Sequence, residues 1–166
     1  MGGVIDDEAI AGVAALADVL RAKGWHLTAA ESCTGGLFAA ACTSLAGSSD
    51  WFERGFVTYS NAAKTEQLGV EGALIDAHGA VSAEVAQAMA AGALAHSPAD
   101  VAVAVTGIAG PGGAVPGKPV GTVWLALMRR GSVPVLERLQ LQGDRTSVRA
   151  QTVAIALQRL LVLCAN

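Results

Sequence analysis

Ile10, Val13, Leu16, Ala17 and Leu20 return at every third or fourth position among polar and small neighbours. That spacing marks one face of a helix and predicts an amphipathic helix over residues 6–23, stopped at Gly24. Residues 26–30 then read as a short buried strand, and the turn Glu31-Ser32-Cys33-Thr34-Gly35-Gly36 leads into an alanine-rich helix over 37–45. A second strand is predicted at 55–59. Helices follow at 62–68 and 81–94, each preceded by an Asn or Ser able to cap it. The β-branched alternation of 101–105 predicts a third, buried strand. Two more strands, 120–128 and 135–141, flank the turn Arg130-Gly131-Ser132 and form an antiparallel hairpin. A last helix over 146–163 buries Val153, Leu157, Leu160 and Leu161.

Crossover helices early and a hairpin late imply an α/β fold, a three-layer α/β/α sandwich on a mixed, mostly parallel sheet. The 166 residues fit a single domain, 1–166, with one hydrophobic core. Hydrophobic residues make up 52% of the chain, yet no uninterrupted apolar run approaches the roughly 20 residues of a membrane span. No membrane partner is expected. Residues 1–8 carry acids and no basic leader, so the expected location is the cytoplasm. Cys33, Cys42 and Cys164 have no metal-ligand spacing and stand far from His26, His78 and His96, which predicts neither disulfides, structural zinc nor another cofactor. The net charge of −3 and the scattered basic residues argue against nucleic acid as a ligand.

Five segments hold candidate chemistry. In the turn 31–36, small polar residues and two glycines precede a helix start, where free N–H groups and the helix dipole attract an anion. Thr34 as a simple cap explains the same residues. Cys33 there is either a small core residue or a rival nucleophile. Gly47-Ser48-Ser49-Asp50 offers one serine to cap a helical turn and another with a free hydroxyl. With Asn61 as N-cap, Lys64 falls in the first turn of its helix, where the dipole lowers an ammonium's pKa. A lysine base near neutral pH needs a fall of roughly three units from about 10.4, worth about 4 kcal/mol. A solvated surface lysine, with Glu66 holding its pKa up, is the plain alternative.

The fourth is the Gly/Pro-rich loop 106–119, whose length marks it as functional. It lacks the endings of a P-loop and of a dinucleotide fingerprint, which excludes those kinase and dehydrogenase types. Arg145, in Gly143-Asp144-Arg145-Thr146, is placed to clamp a phosphate, while Arg149 reads as a surface residue.

Taken together these segments resemble one family. They are Ala-Glu-Ser-Cys-Thr-Gly-Gly at 30–36, Gly-Ser-Ser at 47–49, Val-Thr-Tyr-Ser-Asn-Ala-Ala-Lys at 57–64, His-Gly-Ala-Val-Ser at 78–82, Thr-Gly-Ile-Ala-Gly-Pro at 106–111, Lys-Pro-Val-Gly-Thr-Val at 118–123 and Gly-Asp-Arg at 143–145. The set resembles the CinA C-terminal domain family, also called the nicotinamide-nucleotide amidohydrolase (PncC) family. The departures, Ala62 and Ala114, replace no residue of the expected site. The resemblance implies metal-free hydrolysis of nicotinamide mononucleotide to nicotinate mononucleotide and ammonia in pyridine nucleotide salvage, by a homodimer or higher homo-oligomer. Carried over by position, Ser48 is the nucleophile, Lys64 its base and Tyr59 an assistant. Thr106, Gly107 and Arg145 then hold substrate or polarise the amide, and Ser32, Thr34, Gly35 and Gly36 complete the oxyanion or phosphate site. Which of Ser48, Ser49 and Ser32 meets the lysine is open at this point. A Cys33 amidohydrolase and a non-catalytic nucleotide-binding module are the competing readings.

Overall fold

Asp6 opens the first helix: its carboxylate accepts the Ala9 N–H at 2.8 Å and caps α1, Asp7–Lys23, which ends at Gly24 in the left-handed conformation. The computed structural model describes residues 5–166. Residues 1–4, in the stretch expected to carry no leader, lie outside the described residues. Val13, Leu16, Ala17 and Leu20 are fully buried, whereas Ile10 is 42% exposed, so the buried stripe is narrower than the spacing implied.

Five strands follow: β1 (Leu27–Glu31), β2 (Phe52–Val57), β3 (Val101–Gly107), β4 (Thr122–Arg129) and β5 (Val135–Gln140). They lie in the order β2-β1-β3-β4-β5. β1 is parallel to both β2 and β3, and β4 is antiparallel to both its neighbours. Four strands therefore run one way and β4 alone is reversed. The expected hairpin is β4–β5.

The remaining helices are α2 (Leu37–Thr43), α3 (Asn61–Leu68), α4 (Gly72–His78), α5 (Ala83–Ala95) and α6 (Arg145–Ala165). Helix α4 was not expected: seven residues beginning with glycine are too short to show a period. Strand β2 starts earlier than the sequence indicated, because Glu53 and Arg54 pair with each other at a sheet edge rather than breaking the strand. Only part of the expected face of α6 is fully buried: Val153, Leu157 and Leu160 are, and Leu161 is half-buried. By length and composition alone α6 could cross a membrane. Its buried residues instead pack against α1 and the sheet.

Helices α1, α2 and α6 cover one sheet face, and α3, α4 and α5 the other. Strand alternation divides the side chains between them. Val101, Val103, Val105, Val123, Leu125 and Leu127 face the first layer, while Ala30, Ala102, Ala104 and Ala126 face the second. The alanine face lets α5 lie close to the sheet, and Gly92 lets α3 lie close to α5, since a Cβ there would collide with the Leu68 carbonyl oxygen.

The chain leaves β1 toward α2 in one layer and leaves the neighbouring β2 toward α3 in the other. Diverging loops open a crevice at the carboxyl ends of adjacent strands, the usual ligand position in such sheets. The packing gives a first prediction. Gly92→Ala should cost about 1–3 kcal/mol by overpacking, read as a lowered urea midpoint. Gly72→Ala, whose Cβ would meet nothing within 4 Å, should shift stability by less than about 0.5 kcal/mol.

Candidate active site

The last residue of β1 and the first beyond it point to opposite sides of the sheet. Glu31 faces α2: its carboxylate accepts the Thr34 hydroxyl at 2.6 Å and the backbone N–H groups of Phe38 and Ala39 at 2.8 and 3.1 Å. The N-terminus of α2, read from the sequence as an anion site, is thus filled by the protein's own carboxylate. Thr34, Gly35 and Gly36 are part of that structural cap and do not line the cavity described next. Arg149, expected as a surface arginine, completes the arrangement by donating to the carbonyls of Cys33 and Thr34 at 3.2 and 2.9 Å. Its role is to hold the turn.

Ser32 faces the other layer. Its N–H is bonded to the Val105 carbonyl at 3.0 Å, which ties it to β3, and its Oγ lies 3.1 Å from Lys64 Nζ. Lys64 comes from α3, where Ser60, not Asn61, is the N-cap and accepts the Ala63 N–H at 3.0 Å. The lysine therefore sits one residue deeper in the helix than expected, and Asn61 instead lines the cavity. Lys64 is 1% exposed and also donates to the Tyr59 carbonyl at 3.1 Å. Burial disfavours the ammonium and lowers its pKa below the ordinary lysine value, with Cys33 opposing weakly.

Around this pair lies a cavity of about 210 Å³, with Tyr59, Thr106, Gly107 and Arg145 in its walls. Arg145 donates to the Gly110 carbonyl at 3.0 Å and to the Tyr59 phenolic oxygen at 3.1 Å. Thr106 donates to the Ala80 carbonyl at 2.9 Å, fixing the segment before α5. Gly107 is required by the sheet itself, since a Cβ would lie 2.7 Å from a Val123 methyl. Cys33 also borders the cavity, but burial pushes its thiol up to about 12. It is a thiol, not a thiolate, at neutral pH.

Ser48 and Ser49 are elsewhere. They belong to a single 3-10 turn, Ser48–Asp50, which leads into β2. Just beyond it, the Trp51 carbonyl accepts the N–H of Leu27, the first residue of β1, at 2.7 Å, and Arg21 at the end of α1 donates to Gly47. That is the amino edge of the sheet. Five residues of β1, about 16 Å at ~3.3 Å each, separate it from Ser32 and Lys64. The structure unites Lys64, Tyr59, Ser32, Thr106, Gly107 and Arg145 and leaves Ser48 out. Ala80, Val81 and Ala109 also line the cavity. They fall within the motifs at 78–82 and 106–111, but as plain apolar residues they were not singled out as site residues.

The CinA C-terminal domain family matches residues 11–164. The chain is 57% identical over 148 residues to the nicotinamide-nucleotide amidohydrolase PncC of Pseudomonas putida, covering 89% of this chain and 92% of that one. It is 57% identical over 145 residues to a CinA-like protein of Citrifermentans bemidjiense, covering 87% of this chain but only 35% of that longer protein. The crystal structure of the competence/damage inducible protein CihA from Agrobacterium tumefaciens is similar across 99% of both chains, with 41% identity and a TM-score of 0.94.

The buried lysine predicts a pH effect on stability. Its folded pKa lies below its unfolded one, so the unfolded chain binds more protons between the two values, and stability rises with pH across that alkaline window. Denaturation of wild type and Lys64→Met at a series of pH values should show wild type gaining stability relative to the variant as pH rises through that window, the shared contribution of the buried cysteines cancelling in the difference.

Proposed function

Because the chain belongs to the CinA C-terminal domain family, we propose that it hydrolyses the carboxamide of nicotinamide mononucleotide, giving nicotinate mononucleotide and ammonia, with Ser32 as nucleophile and Lys64 as base. The observation that carries this reading is the 3.1 Å contact between Lys64 Nζ and Ser32 Oγ at the wall of a cavity, with the lysine buried and its pKa lowered. Relatives bearing the name nicotinamide-nucleotide amidohydrolase supply the substrate.

A neutral amine has two N–H bonds and one lone pair. One N–H of Lys64 is directed to the Tyr59 carbonyl, and the lone pair faces Ser32, whose hydroxyl then donates to it. As Oγ attacks the carboxamide carbon, its proton passes to Nζ. The C–N bond breaks, the new ammonium returns the proton to the leaving nitrogen, and ammonia departs from an acyl-serine ester. Water repeats the sequence: Lys64 takes its proton, the hydroxide oxygen bonds to the acyl carbon, and Ser32 regains its hydrogen as nicotinate mononucleotide leaves. Arg145 has five N–H donors, of which two are committed to Gly110 and Tyr59. It and Thr106 would hold the substrate while Tyr59 closes one side.

Ammonia release from nicotinamide mononucleotide, measured with a chelator present, tests the reading. Ser32→Ala should abolish turnover, and Lys64→Met should lower kcat by about 10²–10⁴-fold, with both proteins folded. Cys33→Ala and Ser48→Ala should remain active. In wild type, the rising limb of kcat/KM against pH should have its midpoint below the usual lysine value of about 10.4. Turnover that survives Ser32→Ala and fails in Cys33→Ala would overturn the serine assignment. Nucleotide binding without ammonia release would replace the enzyme with a binding module.

A further inference from the structure

Thr58 holds a hydroxyl that is fully shielded from solvent, and its Oγ1 has no hydrogen-bond partner among the described residues. Burial strips such a group of water, so leaving it unpaired costs stability. Its position in the sheet is well defined. The Thr58 N–H donates to the Glu31 carbonyl at 2.9 Å, just past the end of β2. Thr58 lies one residue beyond the pair Val57↔Glu31, and Ser32 lies one residue beyond the same pair on the neighbouring strand. The two residues therefore stand side by side.

Strand alternation fixes the side to which Thr58 turns. Phe56 packs into the layer of α3 and α5. Val57 meets the start of α2, where a Cβ on Gly36 would lie 3.6 Å from its methyl. Thr58 turns back to the layer of α3, the side that Ser32 also faces. Adjacent strands are roughly 4.8 Å apart, so the hydroxyls of Thr58 and Ser32 flank each other on the side from which Lys64 enters.

A protonated lysine has three N–H bonds. Two directions at Lys64 Nζ lead to Ser32 Oγ and the Tyr59 carbonyl, each at 3.1 Å, and the third has no partner among the described residues. The other titratable groups in the cavity wall are Cys33, Tyr59 and Arg145, none of them a carboxylate. Glu31 is turned to α2, Glu66 on α3 is exposed, and Glu84 at the start of α5 lies 3.7 Å from His78. An unpaired acceptor and an unfilled donor direction thus occur on one side of one strand row.

We propose that Thr58 is a positioning residue for the reaction: its Oγ1 accepts the third N–H of Lys64 and holds Nζ against Ser32 while the proton passes between them. The proposal rests on the amidohydrolase reading of this site. An ammonium is a stronger donor than an amine, so the contact closes as Lys64 gains charge and is strongest in the step it serves. The hydroxyl unpaired at rest is paired during turnover.

The test compares wild type, Thr58→Val and Thr58→Ser in ammonia release from nicotinamide mononucleotide across a pH series, beside their urea midpoints. The titration of Lys64 is followed separately by NMR of protein carrying 13C at the lysine Cε. The chain has three lysines, and the Lys64 signal is the one lost in Lys64→Met. Thr58→Val should lower kcat about tenfold or more with KM unchanged and the urea midpoint undiminished. Losing an acceptor disfavours the ammonium, so Lys64 and the rising limb of kcat/KM should titrate at lower pH than in wild type. Thr58→Ser should restore both. If the valine variant does not fold, Thr58→Ala takes its place in the comparison. Wild-type kcat and lysine titration in the valine variant overturn the proposal, as does a loss of activity that comes with a lowered midpoint and is not rescued by serine. Wild type that releases no ammonia defeats the amidohydrolase reading instead, and the lysine titration alone then decides whether Thr58 contacts Nζ.

Discussion

Two neighbouring residues at the end of one strand are obliged to face opposite ways, and the site depends on that obligation. Strand alternation turns Glu31 into the layer of α2 and Ser32 into the layer of α3. The carboxylate satisfies backbone N–H groups that a helix start leaves without partners. In doing so it anchors the turn, aided by Arg149 on the carbonyls of Cys33 and Thr34. The serine is then held from three directions: by the strand behind it, by Val105 beside it and by the lysine in front. A one-residue slip of β1 would exchange the two side chains. It would bury an uncapped helix end on one face and a carboxylate beside the lysine on the other.

Desolvation sorts the nucleophiles. The same loss of water that lowers the pKa of Lys64 raises that of Cys33, because in both cases it penalises the charged form. The lysine is thereby more readily present as the neutral amine that can take a proton, and the thiol becomes a worse nucleophile, although both border one cavity. Serine chemistry beside a cysteine is a consequence of that shared environment. The burial itself comes from the alanine face of the sheet, which draws the α3–α5 layer inward.

Much of the architecture could be read from the chain. Gly24 as a helix stop, the buried strand beginning at Val101, which runs two residues past its expected end to Gly107, and the late hairpin each rest on local chemistry that tertiary packing did not override. Helix α4 was hidden by its length, and the start of β2 by two charges that neutralise each other. The site was legible as a set of residue types but not as a constellation. Lys64 and Arg145 could be named from their motifs, whereas the choice among three serines depended on which edge of the sheet each occupies. Residues that follow a parallel strand lie at its carboxyl edge, and residues that precede one lie at the amino edge. Ser32 follows β1 and Ser48 precedes β2, so topology separates them where motif similarity does not. The role of Glu31 was equally open to that reasoning, since it alternates with Ser32.

The hydrogen bond between Arg145 and Tyr59 joins residues 86 positions apart at the rim of the cavity, one on α6 and the other just before α3. It is exposed, and Tyr59 is 60% accessible, so parting it costs on the order of 0.5–1.5 kcal/mol. The serine and lysine below it are fixed by the strands and by close packing, which do not yield at so small a cost. Only the side-chain end of that contact is loose: the Tyr59 carbonyl still accepts from Lys64 and Arg145 still donates to Gly110, so parting phenol from guanidinium widens the rim while the backbone that aligns the pair stays in place.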